Sequence, residues 1–209
     1  MKKLGLLIAA LAVIVMSACT STKVTSSWRA NDVQQLQKDK KIMVMALVPE
    51  RDRSLRSLME DFTVAELRKK GYNAASALRE YGPAEFGKMS EKQVLRKLQG
   101  SDVSQVMTIV MLDRARERNY VPGTMYQPFG YYGFWPYYSG WYSRMYSPGY
   151  YTYNMKYQWE GNLYDLNSGQ LLYSVQSQSF DPPTTERMAV LYAQQVVRDM
   201  TKQQLLAKR

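Results

Sequence analysis

Three arginines alternate along one stretch of the chain, Arg114, Arg116 and Arg118, with Glu117 between the last two. If that stretch continues as a β-strand, its two-residue period turns all three guanidinium groups to one face. Such a row is either a docking stripe for anions or a solvated strand end. The carboxylates available for acid–base work are Glu160, Asp165 and Asp181. Two carboxylates suffice to cleave a glycoside. The separation of Glu160 and Asp165 is odd, however, and should send them to opposite faces of a regular strand. Asp181 precedes Pro182-Pro183, a turn context in which Asp is common for structural reasons.

The chain has no histidine and one cysteine, Cys19. Lacking histidine, it lacks the most versatile acid–base group near neutral pH and the commonest metal ligand. Cys19 follows Lys2-Lys3, an uncharged apolar run from Leu4 to Met16, and the small residues Ser17 and Ala18. The run falls short of the roughly 20 residues of a membrane span, and its flanks are those of a secretory signal. Met16-Ser17-Ala18-Cys19 resembles a bacterial lipobox, which makes residues 1–18 a removable signal peptide and Cys19 the lipidation site. Thr20, in place of Asp, resembles outer-membrane sorting, and the periplasmic face is the expected location. A lipidated Cys19 leaves no thiol for a disulfide or a zinc site. Ser-His-Asp and Cys-His catalysis are excluded as well, and no phosphate-binding glycine motif is present. The expectation is a non-enzymatic protein with no cofactor and no metal.

Removing the signal takes away two lysines and no acid, so the formal charge falls from +10 to +8 over the remaining 191 residues. Positive charge of this size suits anionic lipid or an acidic polymer. A secreted address argues against nucleic acid. The basic residues are scattered among acids, as on a solvated surface.

The strongest compositional signal is the stretch 120–153, which holds 11 Tyr, five Gly and four Pro, with Arg144 as its only charged residue. Tyrosine combines a flat apolar ring with a hydroxyl that both donates and accepts, so a Tyr-rich surface suits peptides or sugars. Aromatics of this kind also sit at bilayer interfaces. A self-packed loop covering a sheet edge is the plain alternative. Trp135, Tyr137, Tyr138 and Trp141, at its centre, join the three arginines as the candidate contact surface.

The elements that must position these residues follow from periodicity. A tether with a possible short strand at Val24–Trp28 precedes the apolar run Lys41–Val48, which reads as a buried strand. Leu55, Leu58, Met59, Phe62 and Ala65 recur at helical spacing, and Gly71 supplies a stop. A second strand is expected at Tyr72–Leu78 and a helix begins at Ser90, where Gln93 completes capping-box spacing. Val103–Leu112 reads as a third strand. After the insertion, Lys156–Leu166 and Gln170–Phe180 flank Asn167-Ser168-Gly169 as a hairpin, and a last helix starts near Thr184. The order βαβαβ, insertion, ββα gives a single α/β domain over 40–209. It has a mixed sheet of about five strands, helices mainly on one face, and residues 19–39 as lipidated cysteine and tether.

Ser27-Trp28, Lys70-Gly71-Tyr72-Asn73-Ala74, Tyr120-Val121-Pro122-Gly123, Pro148-Gly149-Tyr150-Tyr151 and Trp159-Glu160-Gly161-Asn162-Leu163-Tyr164-Asp165 accompany the lipobox. Together they resemble a family of bacterial lipoproteins built on a domain of unknown function, with a Tyr/Gly/Pro-rich segment before the last hairpin. The resemblance implies an α/β envelope lipoprotein and carries over no catalytic or binding residue. The functional expectation is an outer-membrane-anchored binding or assembly module. Its membrane attachment runs through the lipid on Cys19, and its partner is an envelope protein or glycan. The alternative is a protein that binds envelope glycan, or cleaves it with carboxylates. A Cys19→Ala variant should fail to incorporate labelled palmitate; persistent labelling would remove the anchor assignment.

Overall fold

Lys41–Leu47 is apolar on both faces because it is covered on both: this is strand β2, with Ile42, Val44 and Ala46 in one apolar cluster and Met43 and Met45 in another. The computed structural model describes residues 22–208, except for position 84, positions 87–88 and the segment 122–149. The expected signal peptide and Cys19 lie outside the described residues. The other strands are β1 (Thr22–Arg29), β3 (Ala74–Ser76), β4 (Val103–Val121), β5 (Tyr150–Asp165) and β6 (Leu171–Phe180). They form one mixed sheet in the order β1-β6-β5-β4-β2-β3. The β2, β3 and β4 segments are parallel, as consecutive strands linked through helices should be. The β4, β5, β6 and β1 strands pair antiparallel in succession.

Helices α1 (Arg53–Lys69) and α4 (Thr185–Lys202) cover one face of the sheet. The first presents Leu55, Met59, Val64 and Leu67 to the core and stops at Gly71, whose φ of +86° is open to glycine. The second is capped by Thr184, whose side-chain oxygen accepts from the Arg187 N–H at 3.0 Å. Between them lie Trp159, Leu163, Tyr173 and Val175 of β5 and β6. The short α2 (Ala77–Tyr81) and α3 (Glu91–Gln99) pack on the other face at the β2–β3 end. In α3 the Ser90 N–H donates to Gln93 Oε1 at 2.8 Å, as the capping-box spacing predicts. Among the described residues no helix is long and apolar enough to cross a membrane.

The α/β class and mixed sheet agree with the sequence reading, with differences of extent. The possible strand at Val24–Trp28 is a full eight-residue edge strand. Tyr72–Leu78 yields only three strand residues, because Ser76 caps α2 by accepting from the Arg79 N–H at 3.1 Å and turns the chain into helix. Both β4 and β5 run into the stretch 120–153, so its ends are strand.

Where β3 stops, a buried side chain takes over. Glu60 of α1 is fully buried. Its Oε1 accepts from the Ala46 N–H at 3.0 Å, on the edge of β2 that β3 no longer covers, and from Arg56 Nε at 3.2 Å. Its Oε2 accepts from the Ser76 hydroxyl at 2.6 Å and from the Leu78 N–H at 2.8 Å in the first turn of α2. One carboxylate thus joins α1 to β2, β3 and α2. Next to it, Arg79 donates to both oxygens of Asp61 at 3.1 and 2.7 Å. This holds the Asp61 carboxyl below the ordinary aspartate range. Glu60→Ala should lower the unfolding free energy by roughly 3–5 kcal/mol in urea melts, because it strands several buried donors. A loss under about 1 kcal/mol would show that water replaces the carboxylate at little cost.

Candidate functional site

The site is built on what β4 and β5 do after their neighbours end. The β2–β4 pairing ends at Leu47 opposite Val110, and β6 ends at Phe180 opposite Lys156. Beyond that level β4 and β5 continue as a two-stranded ribbon, from Arg116 opposite Met155 to Val121 opposite Tyr150. Six pairs at about 3.3 Å per residue make an arm about 20 Å long.

A β-bulge at Leu112 decides which way the arm's side chains face. Met111 pairs with Trp159 and Asp113 with Gln158, so Leu112 is an extra residue in β4 and stands half exposed. After it, Arg114, Arg116 and Arg118 lie on the same face as Tyr157, Met155, Tyr153 and Tyr151, which is the face that α1 and α4 cover deeper in the sheet. The alternation of the three arginines therefore does place them together, as the sequence suggested. Each guanidinium sits over a tyrosine ring: Arg114 over Tyr157 at 5.4 Å, Arg116 over Tyr153 at 3.9 Å and Arg118 over Tyr151 at 3.5 Å. Stacking leaves the edge N–H groups of arginine directed outward as donors for phosphate or carboxylate.

The ladder is graded from core to solvent. Tyr157 is buried and stacks on Trp159 with centroids 6.3 Å apart, and Trp159 meets Tyr192 of α4 at 6.0 Å. Burial pushes the Tyr192 phenol up, so it stays protonated. Gly161 makes room for it, since a Cβ there would stand 2.8 Å from the Tyr192 hydroxyl. Arg114 is tied to Asp52, just ahead of α1, at 3.2 Å. Among the described residues, Arg116 and Arg118 have no carboxylate within ion-pair distance. Tyr151 and Tyr153 are 48% and 47% exposed, where Tyr157 is buried. The opposite face of the arm carries Asp113, Ala115, Glu117 and Lys156, with Lys156 and Glu117 paired at 3.7 Å. The arm is thus basic and aromatic on one side, mixed and polar on the other.

The other candidates stand elsewhere. Trp135, Tyr137, Tyr138 and Trp141 lie outside the described residues. The carboxylates are separated, each in a local bond. Glu160 accepts from Asn162 Nδ2 at 3.0 Å and Gln176 Nε2 at 3.2 Å. Asp165 accepts from the N–H groups of Asn167 and Ser168 in the hairpin turn. Asp181, with a φ of +41°, accepts from the Met155 N–H at 3.4 Å at the root of the arm. A hollow of about 420 Å³ beside the β5–β6 turn contains Asp32 and Asp165, and Asp32 is held there by Gln170. Sequence reasoning found the arginines but missed their tyrosine partners, which the bulge and the pairing register select.

Exposed arginine–tyrosine stacks contribute only about 0.5–1 kcal/mol each. The double substitution Arg116→Ala with Arg118→Ala should therefore lower the unfolding free energy by no more than about 2 kcal/mol in urea denaturation. A larger loss would mean that the outer rungs serve the fold.

No family model and no curated protein matches this chain. Among solved structures it is similar to the PelC dodecamer from Paraburkholderia phytofirmans, at 12% identity over 90% of this chain and 99% of that one, with a TM-score of 0.46. It is also similar to lipoprotein GNA1162 from Neisseria meningitidis, at 13% identity over 78% of this chain and 98% of that one, with a TM-score of 0.43. Likeness at this level assigns neither a family nor an activity.

Proposed function

We propose that the chain is a lipid-anchored, non-enzymatic binding or assembly module of the bacterial envelope, held at the periplasmic face of the outer membrane by the lipid on Cys19. Its contact surface is the β4–β5 arm together with the segment the arm carries, and its partner is an envelope protein or glycan. The arm is the observation that supports this reading. Among the described residues the arm has no third strand and no covering helix, and such a ribbon is marginal in water, yet it carries an ordered row of arginines over half-exposed tyrosines. Those rungs add little to the fold and offer directional donors beside flat apolar rings, the combination that recurs at binding surfaces. The glycan-cleaving alternative would need two carboxylates facing each other across a bond, and Glu160, Asp165 and Asp181 are dispersed.

Deleting Tyr126–Tyr146 joins the arm's ends by a short loop and leaves the sheet, α1 and α4 intact. In crosslinking pull-downs from intact envelopes, the deletion should lose the captured partners while the far-UV circular dichroism and melting transition of the domain persist. An unchanged set of crosslinked partners would show that the arm's segment is not the contact surface.

A further inference from the structure

The register of the sheet fixes where the anchor leaves the domain. One row of paired residues crosses four strands: Thr22 of β1 opposite Ser179, Ser179 opposite Tyr157, and Tyr157 opposite Arg114. The β1 strand begins at Thr22, at the end of the sheet from which the arm projects, and runs away from this row toward Arg29. Both long helices also begin at this end: α1 follows β2 and α4 follows β6. The positive ends of their backbone dipoles therefore share it with Arg114, Arg116 and Arg118.

Lengths then restrict the orientation. Three residue steps separate Cys19 from Thr22, at most about 11 Å of extended chain. From the same row the arm extends seven residues to Val121, about 23 Å. An anchor at Cys19 thus holds the sheet's end closer to the bilayer than the arm is long. With that end of the sheet toward the membrane, the arm is longer than the anchor's span and meets the lipid headgroups. Its two faces differ in what they offer them. Among the described residues, the outer face of Arg116, Arg118, Tyr151 and Tyr153 carries no acid, and the one acid at its base, Asp52, is bound to Arg114; the other face presents Asp113 and Glu117. Arginine donates paired N–H groups to phosphate, and tyrosine is at home at the depth of the headgroups.

We infer that the arginine–tyrosine face of the β4–β5 arm docks on the phosphate-bearing lipid surface that holds the anchor. This goes beyond the proposed function and rests on its lipid-anchored reading: it gives the arginine–tyrosine face to the lipid surface and leaves the envelope protein or glycan to the segment the arm carries. The face works as a second membrane contact that sets the orientation of the domain, while the lipid supplies the attachment. Each arginine near an anionic surface strengthens the contact, and salt weakens it.

The test uses the lipidated protein reconstituted into vesicles of phosphatidylethanolamine and phosphatidylglycerol. With Cys19 blocked by lipid, single spin labels can be placed at Tyr153→Cys on the arm and, in a separate variant, at Asn167→Cys in the turn at the far end of the sheet. The Tyr153 label should lose collisions with a water-soluble nickel chelate and keep those with lipid-soluble oxygen, while the Asn167 label stays open to nickel. Adding Arg116→Glu and Arg118→Glu should restore nickel access at Tyr153. The inference is overturned if the Tyr153 label is as open to nickel as the Asn167 label. It is equally overturned if that label is shielded from nickel and oxygen alike, as under a protein cover, or if shielding survives the arginine reversals. All of these outcomes leave the anchored binding reading standing; absence of palmitate on Cys19, measured on the same preparation, would remove that reading instead.

Discussion

The β2–β3 pairing is three residues long, and everything on that side of the sheet depends on a carboxylate that substitutes for the missing strand. Glu60 takes the Ala46 N–H that β3 does not reach and the Leu78 N–H that α2 leaves open at its first turn. A buried acid is costly unless its oxygens are filled; here Arg56 and Ser76 fill the remaining acceptor sites. The bond has a consequence at a distance. By fixing α1 against the sheet it fixes Asp52 just ahead of that helix, and Asp52 holds Arg114 at the base of the arm. The interior polar bond and the exposed basic face are therefore parts of one rigid arrangement.

Much of this was legible in the residues. The both-sides-apolar character of Lys41–Leu47 marked a central parallel strand, the Asn167-Ser168-Gly169 turn marked the last hairpin, and Ser90 with Gln93 marked a helix start. Each is a local rule whose partners are close in sequence. The length of β4 was not legible, because Asp113–Asn119 is polar and a ribbon with no sheet neighbours buries too little to show an apolar alternation. Glu60 was not legible either. It sits within a helical pattern that also contains Asp61 and Glu66, and only tertiary placement separates the buried acid from the solvated ones. The alternation of the three arginines was readable, whereas the rings beneath them belong to a strand 33 to 43 residues away in sequence and depend on register.

The domain is polarised along its strands. One end gathers the entry of β1, the starts of α1 and α4, the bulge and the arm. The opposite end holds the helix C-termini, with Lys69, Arg198 and Lys202 near the closing carbonyls, and the β5–β6 turn. Basic residues there complement the negative ends of the helix dipoles. Those at the arm have no such internal role beyond Arg114. Positive charge thus has two different physical meanings at the two ends.

Leu112 gives the arm an unusual kind of information content. The arginines and tyrosines specify what the surface is made of, and this one extra residue specifies which side it is on. If Leu112 were drawn into regular pairing opposite Gln158 instead of bulging out, β4 would enter the arm with opposite parity. Asp113 and Glu117 would then lie over the tyrosines, and the arginines would turn to the far side. The same residues in those two registers would have one composition and present opposed charges. Pairing at one position, more than any residue's chemistry, writes the polarity of this surface.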